Sequence, residues 1–102
     1  MVIEGPWMRS PKPEGPKFPL GKLVATPNAL RAITTAELSR ATTRHHHGDW
    51  GELDPEDKKA NDEALADGGR LLSAYQAGDG TRFWIITEAD RSVTTVLLPE
   101  DY

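Results

Sequence analysis

Cysteine is absent from the sequence, and that alone excludes disulfides, iron–sulfur clusters, thiolate zinc and cysteine nucleophiles. No apolar run approaches the roughly 20 residues that span a bilayer, and Met1-Val2-Ile3-Glu4 does not open like a secretory leader. The expectation is a cytoplasmic protein with no membrane partner. Phosphate loops are missing as well, because Gly68-Gly69 closes a helical pattern instead of opening one, and neither G-x-S-x-G nor H-E-x-x-H occurs. Aromatic residues make up only 7%. With so few lysines between them, Trp50, Tyr75, Phe83 and Trp84 read as core before they read as a base-stacking surface. A chain of 102 residues builds one modest core with little room for a deep cavity, so no cofactor is expected.

What the chain does carry is unevenly placed. Five of its eight prolines fall in the first 19 residues, and proline removes amide donors and favours extended backbone. Residues 1–17 therefore read as an extended proline-rich arm, and 18–102 as a single domain. Trp7 and Met8 are the bulky apolar exceptions in the arm, expected to dock onto the parent domain. Residues 1–22 hold Arg9, Lys12, Lys17 and Lys22 against Glu4 and Glu14, a net of +2. Residues 52–67 hold seven acids against Lys58 and Lys59, a net of −5. An acidic block of this kind does not coat phosphates, so nucleic acid is disfavoured as a partner except as a substrate. The block is instead a solvated helix face or a docking surface for a basic protein.

The element signals are specific. Residues 18–25 open the domain with an expected short strand, of which Leu23–Ala25 is the paired part. Thr26-Pro27 supplies a cap hydroxyl and a proline at the first helical position, predicting a helix to about Ile33. Thr34 and Glu37 form a T-x-x-E capping box for a second helix to about His47, whose apolar stripe of Leu38, Ala41, Thr42 and His45 turns His45 inward. Asp54-Pro55 repeats the cap-and-proline signal for a third helix, stopped by Gly68-Gly69. Its stripe of Ala60, Ala64 and Leu65 is thin. Residues 70–76, 81–87 and 92–98 are then rich in aromatic and β-branched residues and separated by Ala77-Gly78-Asp79-Gly80 and Glu88-Ala89-Asp90-Arg91, which reads as three strands. The order β-α-α-α-β-β-β gives an α+β class, an antiparallel meander sheet packed on one face by helices.

Adjacent imidazoles at His45, His46 and His47 cannot converge on one ion from an intact helix, because successive residues point about 100° apart; no metal site is expected. His45 is either a satisfied core histidine or a base, with Asp49, at i+4, oriented to hold it. Around it the sequence offers Arg70 or Arg91 to clamp a phosphate, and Thr94 or Thr95 to donate to one. Thr94 and Thr95 point to opposite sheet faces. Such a set suits a metal-independent ribonuclease, the base deprotonating a 2′-hydroxyl and the arginine holding the developing charge.

Phe18-Pro19-Leu20-Gly21, Ala25-Thr26-Pro27, His45 with Gly48-Asp49-Trp50-Gly51, Leu71-Leu72-Ser73-Ala74-Tyr75 and Ile86-Thr87-Glu88-Ala89-Asp90-Arg91-Ser92 with Thr94-Thr95 together resemble a family of small bacterial plasmid-related proteins, some described as type I restriction endonuclease subunit M. The likeness spans about residues 18–102. The chain has no glycine-rich motif for a methyl donor, so the resemblance implies a mobile-element protein with an accessory or anti-defence role. The element order is also similar, in topology alone, to the barnase, EndoU and colicin-type ribonucleases. Two functions follow. The first is a non-enzymatic binding protein acting by protein contact, its surface expected at Asp57, Asp62 and Glu63 with Trp50 and Tyr75. The alternative is the ribonuclease, using His45, Asp49, Arg70, Arg91, Thr94 and Thr95.

Overall fold

A computed structural model describes residues 15–102. Most of the expected arm, Trp7 and Met8 included, lies outside the described residues. The three helices begin where side-chain oxygens meet the first free amides. Thr26 Oγ1 accepts from the Ala29 amide at 3.1 Å ahead of α1, Pro27–Ala32. Thr34 and Glu37 complete the capping box of α2, Thr35–His46. Asp54 accepts from the Asp57 amide at 2.9 Å and opens α3, Pro55–Asp67, which Gly68 closes in the left-handed conformation. Each such cap contributes about 1 kcal/mol.

Four strands, β1 Lys22–Ala25, β2 Leu71–Gln76, β3 Arg82–Thr87 and β4 Val93–Leu97, form one sheet in the order β1-β4-β3-β2. The class is α+β. β2, β3 and β4 make the antiparallel meander, but the sheet as a whole is mixed, because β1 joins β4 in parallel, Lys22 opposite Val93 through Ala25 opposite Val96. A meander leaves an edge at each end, and β1 occupies the β4 edge. Its direction is set by the preceding segment, where the Thr94 hydroxyl donates to the Leu20 carbonyl and the Lys22 amide to that of Ser92. Gly21 makes this approach possible: at φ +65°, a Cβ there would meet backbone atoms of Arg91 and Ser92.

Alternation along the strands sorts the sheet into two faces. Leu71, Ser73 and Tyr75, Phe83, Ile85 and Thr87, and Thr94 and Val96 share the inner face and are all buried. α1 and α2 pack there through Ala29, Ile33 and Ala41 around Tyr75, Phe83, Ile85 and Val96. A second cluster joins Phe18, Trp50 and Leu71, with Ala64 and Leu65 of α3 against it. α3 departs from the one-face expectation by lying beside β2. Its one buried residue is the polar Asn61, which explains how a helix with so thin an apolar stripe is held. Among the described residues no helix is long and apolar enough to cross a membrane.

Candidate functional site

His45 sits at the centre of the inner face, and no part of it reaches solvent. Its Nδ1 lies 2.5 Å from Ser73 Oγ on β2 and its Nε2 lies 2.9 Å from Thr87 Oγ1 on β3. Thr87 Oγ1 is in turn 2.7 Å from Thr94 Oγ1 on β4, and Thr94 Oγ1 donates to the Leu20 carbonyl at 2.7 Å.

Proton counting orders this chain. A hydroxyl has one proton to donate, and that of Thr94 is given to Leu20, so Thr94 accepts from Thr87. Thr87, having donated, accepts from His45, which fixes the Nε2–H tautomer and leaves Nδ1 to accept from Ser73. The hydrogen bonds therefore run in one direction from Ser73 to Leu20, linking α2, β2, β3, β4 and the segment ahead of β1. A second proton on Nδ1 would displace the Ser73 donor and place a charge in the core. Burial, with His46 nearby adding to it, accordingly holds the His45 pKa down, to about 4. The imidazole is neutral at pH 7 and fully satisfied, and both its nitrogens are engaged inside the protein.

Of the other residues expected to join His45, Thr94 belongs to its hydrogen-bond chain through Thr87, and the rest are directed elsewhere. Asp49 does not orient the imidazole. It binds the Arg44 guanidinium at 2.7 and 3.2 Å and accepts from the Gly51 amide, and Arg44 holds its carboxyl below the ordinary range. The charged pair is the nearer and stronger attraction. Arg70 lines the outer face with Leu72, Trp84, Ile86 and Tyr102, so the sheet separates it from His45; it meets Glu88 at 3.6 Å and the Tyr102 hydroxyl at 2.9 Å. Arg91 donates to the carbonyls of Gly69, Ala64 and Glu88, satisfying the end of α3, where free carbonyls need donors. Of the threonine pair, Thr94 faces inward and Thr95 outward. His46 packs edge-on to Phe18, and His47 donates from Nδ1 to the Thr43 carbonyl at 2.8 Å.

The expected contact residues divide in the same way. Trp50 and Tyr75 are core rather than surface, only 4% and 3% exposed. The Tyr75 hydroxyl donates to the Asp49 carbonyl at 2.6 Å, burial pushes its phenol pKa up, and Trp50 Nε1 donates to Asp62 at 3.0 Å. Asp57 and Glu63 stand exposed on α3. Thus Gly48-Asp49-Trp50-Gly51 is architecture. The segment lies along β2, the Ala74 amide donating to the Trp50 carbonyl at 3.2 Å and the Glu52 amide to that of Ala74 at 2.7 Å. One residue pair further along, Asn61 imitates a neighbouring strand, its Oδ1 accepting from the Leu72 amide at 3.1 Å and its Nδ2 donating to the Leu72 carbonyl at 2.6 Å. The β2 edge is therefore closed. Gly51 is required for it: at φ +76°, a Cβ there would lie 2.0 Å from the Ala74 carbonyl oxygen.

The β1 edge is the reverse. Lys22 and Thr26 direct their amides into β4, so alternation turns the amides and carbonyls of Leu23 and Ala25 outward, and no strand among the described residues pairs with them. Beside this edge runs a groove of about 460 Å³ lined by Leu23, Val24, Ala25, Leu30, Leu38 and Val96, with hydroxyls of α2 along its rim. Leu23 is 50% and Leu30 60% exposed. Sequence patterning missed this surface because both leucines sit in segments that read as ordinary core formers. The available signal was the shortness of the strand and of α1, which cannot cover both leucines. Neither family models, curated proteins nor solved structures match the chain, so the site is defined by its own geometry.

Proposed function

We propose that this protein works by protein contact through the β1 edge and its apolar groove, and not by chemistry at His45. The observation that carries this is the contrast between the two edges: one sheet edge is closed by backbone and side-chain partners, while the other leaves backbone polar groups and two large leucines open. Unpaired edges invite strand pairing, and folded proteins usually blunt them; an edge left open beside an apolar groove suits a binding partner. A sealed, neutral His45 supports the same conclusion, since a general base has to reach the proton it removes. The resemblance to plasmid-related proteins points to a component of a host or phage defence complex as the partner, with an accessory or anti-defence outcome.

Affinity capture with the full chain tests this. One specific protein is expected, lost with Leu23→Glu and with Leu30→Glu but retained with Asp57→Lys/Glu63→Lys. Loss only with the α3 reversals would move the contact to the acidic helix. Metal-independent RNA cleavage abolished by Thr87→Val would replace the proposal with the ribonuclease.

A further inference from the structure

We infer that the occupant of the β1 edge is an extended, acidic segment of a partner protein that adds as a fifth strand, with apolar side chains at every second position entering the groove. This rests on β1 being the contact edge, and it follows from three features of that edge.

Backbone comes first. The outward amides and carbonyls of Leu23 and Ala25 are matched by another extended chain, which offers the same groups at the same spacing; a helix has none to spare. Side chains come second. Leu23 and Ala25 lie opposite Thr94 and Val96, so they share the inner face and flank the groove. A strand beside them sends alternate side chains to that face, and the groove's lining accepts apolar ones. Charge comes third. β1, α1 and α2 carry Lys22, Arg31, Arg40 and Arg44 against Glu37; Arg44 is neutralised by its ion pair with Asp49, which leaves Lys22, Arg31 and Arg40 as the cations of these elements. Asp101 adds one negative charge beside Thr26 and Asn28, which hold it ionised, so these elements keep a small positive excess. Residues 48–102, in contrast, hold thirteen acids against five bases. The open edge thus belongs to the basic part of an acidic chain, a field that favours an acidic segment and disfavours a basic one.

Other occupants fit less well. A second copy would bring another Lys22 to the same edge. Residues 1–14 hold Glu4 and Glu14 against Arg9 and Lys12 and contain Pro6, Pro11 and Pro13, which supply neither net charge nor amide donors.

Two synthetic ten-residue peptides test the inference on the full chain: valine and isoleucine alternating with glutamate, and the same peptide with each glutamate replaced by lysine. Residue-resolved amide exchange and NMR titration at physiological salt are the readouts. The glutamate peptide should bind saturably and slow exchange at Leu23 and Ala25 by about tenfold or more. Its affinity should fall about tenfold in Lys22→Glu/Arg31→Glu, both positions being exposed. Equal or tighter binding of the lysine peptide overturns the acidic partner while leaving the edge as the contact. Leu23 and Ala25 amides already slow in the free chain overturn it too: if dilution releases them the occupant is a second copy, and if Trp7→Ala releases them it is the chain's own N-terminal segment. Fast exchange at β1 with both peptides overturns strand addition itself, whereas the proposed contact function stands or falls separately on capture by Leu23→Glu and Leu30→Glu.

Discussion

The two edges of one four-stranded sheet are treated in opposite ways. At β2, Trp50, Glu52 and Asn61 take up the outward amides and carbonyls of Leu72 and Ala74. At β1, the same groups of Leu23 and Ala25 face outward beside an apolar groove. The difference separates residues that build the protein from those available to meet something else. Trp50, Asp49 and Gly51, conspicuous in the sequence, serve the closed edge. Leu23 and Leu30, inconspicuous there, form the open one.

Breaking the closed edge should have the largest effect. Gly51→Ala places a Cβ against the Ala74 carbonyl in a left-handed conformation, and strain and overpacking together should cost on the order of 4 kcal/mol, read by chemical denaturation. Acid acts next, through the buried network. His45 has a folded-state pKa of about 4 against an ordinary 6.5, so the unfolded chain binds the extra proton between those values. Its contribution is complete above about pH 6.5 and is lost as pH falls toward 4, about 3 kcal/mol in all. Denaturation at a series of pH values should show this slope in the wild type, and His45→Asn should flatten it.

Asn61→Ala should follow at about 2 kcal/mol, because it leaves the Leu72 amide and carbonyl unsatisfied at a half-buried edge. Amide exchange at Leu72 should rise in that variant while exchange at Leu23 stays unchanged. The smallest stability effect is expected at the open edge: Leu30→Glu should shift unfolding by no more than about 0.5 kcal/mol yet abolish partner capture. A stability loss comparable to that of Asn61→Ala would mean that Leu30 is core and that the contrast between the edges is not real.

Local signals made much of the fold legible. Thr26-Pro27, Thr34 with Glu37, and Asp54-Pro55 marked helix starts that the structure shows at those positions, because caps act through a few adjacent residues. The inward turn of His45 followed from helical spacing. Its partners were not legible: LLSAYQ and RFWIIT carry apolar residues at successive positions, so neither sequence says whether Ser73 or Thr87 lies on the inner face. Register was not legible either. Whether Ser73 and Thr87 meet one imidazole depends on Leu71 pairing with Thr87, a long-range match that no local pattern specifies. Asp49 was misassigned to His45 for a related reason, since Arg44 competes for the same carboxylate from the same turn. The parallel docking of β1 and the role of Asn61 are also products of tertiary placement, and the open edge became visible only once β1 had a neighbour on one side and none on the other.

Residue-resolved amide exchange on the full chain, alone and with its captured partner, distinguishes the open edge from the closed one. Alone, Ala74 should exchange slowly and Leu23 and Ala25 rapidly. With the partner bound, Leu23 and Ala25 should become slow while Ala74 stays as it was. A bound partner that leaves Leu23 and Ala25 fast, and protects α3 or the outer face instead, would contradict contact through the open edge.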